Sequence, residues 1–125
     1  MLLFVAMMLL SGCGREDTKL RQQISGTWKR DNTTWTRDEV AEMTLSTNGA
    51  FVTKWTTAKW KLTIEGIWTV QGGVLILKST NCLAEGTTNY MPVGTVERSK
   101  IIQADGSVLV VEDADSGRDS YRIKR

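Results

Sequence analysis

From Lys59 to Gln71 the chain alternates. Trp60, Leu62, Ile64, Trp68 and Val70 fall on one face with Gly66 among them, and Lys61, Thr63, Glu65, Thr69 and Gln71 fall on the other; Ile67 breaks the pattern. A period of two with one apolar side predicts a β-strand that buries one face and wets the other. The pattern recurs at Glu39–Ser46, with Ala41, Met43 and Leu45 on one face, and at Ala50–Trp55, with Phe51 and Trp55 together. Further strand segments are Ser25–Lys29, Val74–Lys78, Thr95–Gln103, Ser107–Glu112 and Asp119–Lys124. Turn signals separate them: Thr47-Asn48-Gly49, Gly72-Gly73, Asp105-Gly106 and Asp115-Ser116-Gly117. Asp31–Asp38 reads as a polar loop holding Trp35, and Asn81–Gly94 as the longest irregular stretch. Lys19–Ile24 fits one or two helical turns, with Asp17 or Thr18 as the cap. No segment is long enough for a helical crossover between parallel strands. The expected fold is all-β: a small eight-stranded antiparallel up-and-down barrel, which leaves no open sheet edge. An open sheet or a sandwich is the alternative.

The other apolar pattern lies at the beginning. Leu2 to Leu10 is apolar throughout, and Ser11, Gly12 and Cys13 follow. Nine helical residues cover ~14 Å, about half of a ~30 Å hydrocarbon core. That is too short to span a bilayer but suits the apolar region of a signal peptide. Leu9-Leu10-Ser11-Gly12-Cys13 resembles a bacterial lipobox. The resemblance implies cleavage before Cys13 and lipidation of its sulfur and amino group, with several acyl chains anchoring the chain to a membrane. Gly14 stands where an inner-membrane retention signal would have Asp, which implies the outer membrane, facing the periplasm, in a cell with two membranes. No Lys or Arg precedes the apolar run, so the positive region of such a leader is expected upstream of Met1. The expected organisation is a signal peptide over residues 1–12, a lipid anchor, tether and short helical lead-in over 13–23, and the barrel over 24–125.

Composition narrows the picture further. The part after Gly12 has a one-domain length. The net charge is +2 and no basic cluster occurs, so nucleic acid is not an expected partner. With Cys13 taken up by lipid, Cys82 has no partner for a disulfide and reads as a small buried hydrophobe. The chain has no His, which removes the usual Cys–His pairing and the His-containing zinc sites.

Gly26-Thr27-Trp28, placed on the first strand after a short helix, resembles the Gly-x-Trp signature of lipocalins. Thr44-Leu45-Ser46-Thr47-Asn48-Gly49-Ala50-Phe51, then Gly66-Ile67-Trp68 and Tyr121-Arg122-Ile123-Lys124-Arg125, look like small bacterial lipocalin-like domains. The similarity runs from Ile24 to Arg125. It implies that Trp28 closes the bottom of the barrel under an arginine; by strand phase that is Arg125, with Arg122 second. It also implies a small hydrophobic ligand inside the barrel, with Phe51, Trp55, Trp60 and Trp68 as candidate ligand-binding residues. An eight-stranded barrel is just wide enough to fill with side chains or to hold one small ligand. The large inward residues Trp28, Phe51, Trp55, Trp60 and Trp68 favour a mostly packed interior, with a remaining apolar pocket as the alternative.

No catalytic constellation is legible, and neither a cofactor nor a metal is expected. Asp113-Ala114-Asp115-Ser116-Gly117-Arg118-Asp119 resembles the start of a calcium loop but lies between strands and lacks its closing Glu, so it reads as an acidic hairpin turn. Trp35 and the Asn81–Gly94 loop are candidate contact points for a partner. The expected function is a membrane-anchored envelope lipoprotein that binds a small hydrophobic ligand and is not an enzyme. The alternative is a protein-interaction module, or an inhibitor of an enzyme, in the cell envelope with a filled barrel.

Overall fold

Neighbouring strands pair in chain order, and the last returns to the first. The structure, a computed structural model, describes residues 16–31, 40–87, 92–113 and 117–124. Its strands are β1 (Gly26–Arg30), β2 (Val40–Leu45), β3 (Ala50–Thr56), β4 (Lys61–Gln71), β5 (Val74–Glu85), β6 (Val96–Ala104), β7 (Val108–Asp113) and β8 (Gly117–Ile123). They form one closed barrel in the order β1 to β8, all neighbours antiparallel. Closure comes from Trp28 opposite Ile123, Lys29 opposite Arg122 and Arg30 opposite Tyr121. One short helix, α1 (residues 16–24), precedes β1.

The alternation read from β4 is the alternation observed. Ile64, Gly66, Trp68 and Val70 are buried and Leu62 is half-buried, while Ile67 is 56% exposed. Gly66 is where the barrel tightens. A Cβ there would lie 2.0 Å from the Lys78 carbonyl oxygen and 2.6 Å from the Phe51 ring. The β4–β5 register shifts at the same point, between Glu65 and Gly66.

That shift explains the main departure from the expected strands. β5 does not stop at Lys78 but continues to Glu85, through residues expected to open a loop. Gly66 faces Ser79 and Glu65 faces Asn81, so Thr80 is the extra residue of a bulge. One unpaired residue reverses the inward phase, from Leu75, Leu77 and Ser79 to Cys82. The period of two is lost in the sequence although the ladder persists. Cys82 is half-buried and packs against the core.

The core gathers at the end of the barrel where α1 sits. Ile24, Trp28, Leu45 and Leu109 are almost fully buried there, with Trp68, Val70 and Leu75 close behind. Both indoles are anchored through their nitrogen: Trp28 Nε1 donates to the Ile24 carbonyl at 2.7 Å and Trp68 Nε1 to the Ser46 carbonyl at 2.8 Å. The first holds the last residue of α1. The second holds the Thr47-Asn48-Gly49 turn, where Gly49 alone takes a left-handed φ of 92° and Asn48 Oδ1 accepts from the Ala50 amide at 3.0 Å. Asp17 is not spent on capping its own helix as expected. Its carboxylate accepts from the Gly72 and Gly73 amides at 3.0 and 3.1 Å, tying α1 to the β4–β5 hairpin.

Candidate functional site

The opposite half of the barrel is hollow. Two of its inward positions are small, Thr53 on β3 and Ser79 on β5. Ser79 is buried but does not reach across the barrel. Its hydroxyl donates to the Pro92 carbonyl at 3.0 Å and accepts from the Thr95 amide at 3.1 Å, which fastens the 92–95 turn to the wall. Above these positions lies a chamber of about 520 Å³ walled by Met43, Phe51, Trp55, Leu62, Ile64 and Leu77. Small-molecule pockets commonly enclose ~300–1,000 Å³, so this chamber is of ligand size.

A second chamber of about 500 Å³ adjoins it and shares Met43, Trp55, Leu77, Glu97 and Tyr121 with it. Its wall is charged. β1 contributes Arg30, β6 contributes Glu97, β7 contributes Asp113 and β8 contributes Asp119. Strand register places them: Arg30 is opposite Tyr121 and Val111 is opposite Asp119, so these groups fall on neighbouring inward positions near the mouth. Arg30 donates to Asp119 Oδ1 at 2.7 Å, and its guanidinium lies over the Trp55 ring, 5.2 Å from the centroid.

The electrostatics follow from this crowding. Burial first, then the negative charges of Asp113 and Asp119, raise the Glu97 carboxyl above its ordinary value. The Tyr121 hydroxyl is pushed up to about 12, by burial first and then by Asp119, with Arg30 acting the other way. Burial and neighbouring negative charge both disfavour a further anion.

The expected site residues divide between the two ends. Phe51 and Trp55 line the apolar chamber. Trp68 lies in the closed end, buried under Arg21, whose guanidinium is 4.9 Å from the ring centroid. Trp60 lines neither chamber and forms part of the 57–60 turn, where the Thr57 amide donates to its carbonyl at 2.9 Å. Among the described indoles, Trp28 and Trp68 belong to the core at the closed end, Trp60 lines neither chamber, and Trp55 lines both. Trp28 is fully buried. Its expected partner Arg125 lies outside the described residues, as do Cys13 and Trp35. Arg122 is turned outward, 75% exposed and 3.4 Å from Asp31. Among the described residues, the arginine that covers an indole at the closed end is Arg21, over Trp68.

Arg30, Glu97, Asp113, Asp119 and Tyr121 were not among the expected site residues. Their signal was strand phase: Asp119 shares the phase of Tyr121 and Ile123, and Asp113 that of Leu109 and Val111. Among the described residues no cluster of potential metal ligands occurs, and no helix is long and apolar enough to cross a membrane. Neither protein-family models nor curated protein sequences give a match to the chain.

Proposed function

We propose that this chain is a lipid-anchored envelope lipoprotein whose lipocalin-like barrel binds a small hydrophobic ligand. The observation that carries the reading is the apolar chamber of about 520 Å³ between Phe51, Trp55 and Ile64. Its wall combines aromatic and aliphatic side chains with a few polar groups at one side, the composition of a small-molecule site. Ligand-free burial of so much apolar wall is incomplete, and an apolar guest that displaces water from it gains ~25 cal/mol per Å² of surface covered. The Leu2–Leu10 run and the Ser11-Gly12-Cys13 triplet support the anchor, which holds the barrel at a membrane surface. A binding role suits a chain without His whose Cys82 packs against the core.

A second reading, a protein-interaction module of the envelope, is favoured by one observation. Ile67, Leu83, Val93 and Val96 are exposed on or beside the outer face of β4–β6. The two readings separate in native mass spectrometry of the protein purified gently from a bacterial host. A small molecule released on denaturation supports the binder; a bare protein mass together with a co-purifying protein supports the module. The anchor is tested in the same host with an alkyne-bearing palmitate, which labels the wild type and leaves Cys13→Ala unlabelled.

A further inference from the structure

Among the described residues, the second chamber is lined by three carboxylates, Glu97, Asp113 and Asp119, and by the guanidinium groups of Arg30 and Arg118. Arg118 reaches the rim, but its side chain is 64% exposed and pairs with Glu112 at 3.4 Å. Arg30 is committed on two sides, to Asp119 at 2.7 Å and to the Trp55 ring. At the seam between the chambers stands Tyr121, lining both, and its hydroxyl makes no hydrogen bond with a described residue.

We propose that the ligand of this barrel is an amphiphile with a cationic amine head, its tail in the chamber of Phe51, Trp55 and Ile64 and its ammonium among Glu97, Asp113 and Asp119. The proposal rests on the reading of the barrel as a binder of small apolar molecules and adds the charge of the head. An ammonium offers three donors and no acceptor. It finds carboxylate oxygens from two sides and the Tyr121 oxygen at the boundary where head meets tail. It also relieves the crowding that holds the Glu97 carboxyl above its ordinary value. An anionic head, such as a fatty-acid carboxylate, would enter the same space against three carboxylates and would have to displace Asp119 from Arg30. A head of the wrong sign meets like charge on these carboxylates, which makes the sign of the head the discriminating feature. A neutral alcohol of equal length would keep the tail contacts alone.

The test compares octylamine, octanol and octanoate on the full chain in phosphatidylcholine nanodiscs, with empty nanodiscs as the blank, read by tryptophan fluorescence. The proposal expects octylamine to bind at least about ten-fold more tightly than octanol, and octanoate more weakly than both. It expects Glu97→Gln and Asp113→Asn each to weaken octylamine several-fold while octanol is unchanged; the octanol value shows that the barrel of each variant is intact. Equal affinity for all three, or preference for octanoate, overturns the amine head and leaves the apolar binder standing. No binding of any of them overturns both.

Discussion

Arg30 on β1 donates to Asp119 on β8 across the closing seam of the barrel, at 2.7 Å, with both side chains largely withdrawn from water. The contact does two things. It closes the mouth end of the ladder between the first strand and the last, and it holds the guanidinium over Trp55. Replacing Arg30 by Met keeps the stem and removes the charge, leaving Asp119 beside Glu97 and Asp113 without its cation. Loss of one partner from a fully buried pair costs ~3–5 kcal/mol, and solvent contact reduces this to about 1–3 kcal/mol here. Denaturant unfolding of Arg30→Met is expected to show that loss, and Arg30→Met/Asp119→Leu to recover most of it. An unchanged midpoint in the single variant would mean that the pair does not hold the seam.

Gly66 is required by space. A methyl group there would meet the Lys78 carbonyl at 2.0 Å, and a backbone atom of a paired strand cannot move aside cheaply. Gly66→Ala is expected to destabilise by at least ~1–3 kcal/mol, the usual cost of forced overpacking. Gly72→Ala tests a different cost, because a Cβ at Gly72 would meet nothing within 4 Å and only its φ of 59° opposes the change. Thermal unfolding should therefore rank Gly66→Ala as the more damaging of the two.

Glu97 gives the barrel a pH dependence of definite sign. Its folded value lies above the ordinary carboxyl value, so the folded state holds this proton more tightly than the unfolded chain does. The stabilisation from this group is fully present below the ordinary carboxyl value and is lost as pH rises through the raised one. Glu97→Gln removes the charge and with it this loss. The variant should be more stable than the wild type at neutral pH, and the difference should shrink on acidification. A variant less stable at neutral pH would show that the Glu97 carboxylate is favourably solvated or paired.

Tyr121 extends the argument to the alkaline side. Its hydroxyl titrates near 12 in the folded barrel against about 10 for a free phenol. The raised value means that stability from Tyr121 is present below the ordinary phenol range and lost as pH rises through about 12. The phenolate absorbance that Tyr121→Phe removes from an alkaline titration should therefore appear late, together with unfolding, and Tyr121→Phe should shift unfolding to higher pH.

Most of the fold was legible because inward and outward positions alternate. The pattern of β4, and the Asn48-Gly49 turn with its single left-handed glycine, needed only local chemistry. What escaped was non-local. The bulge at Thr80 is set by Gly66 on another strand, so the continuation of β5 to Glu85 leaves no period of two in its own residues. The hollow interior escaped for a related reason. Counting tryptophans gave enough volume to fill a small barrel, but volume works only at the level where it is placed. Trp28 and Trp68 share the closed end, and the chamber wall beyond them includes the small residues Thr53 and Ser79. The acidic mouth was legible in phase but not in meaning, because an inward carboxylate near a strand end looks the same as a solvated one until the neighbouring strand brings Glu97 alongside Asp113 and Asp119.

The central claim is that the space between Phe51, Trp55, Leu77 and Thr53 takes an apolar guest. The direct measurement is energy transfer from tryptophan to added pyrene, for the full chain in nanodiscs and for the Thr53→Phe/Leu77→Phe variant in the same nanodiscs, with circular dichroism confirming that both keep their strands. Two added rings occupy the chamber without touching its rim, and pyrene dissolved in the lipid is common to both samples. Saturable transfer in the wild type that the filled variant lacks is the predicted result. Equal transfer in both would place pyrene in the lipid alone and contradict a binding chamber in the barrel.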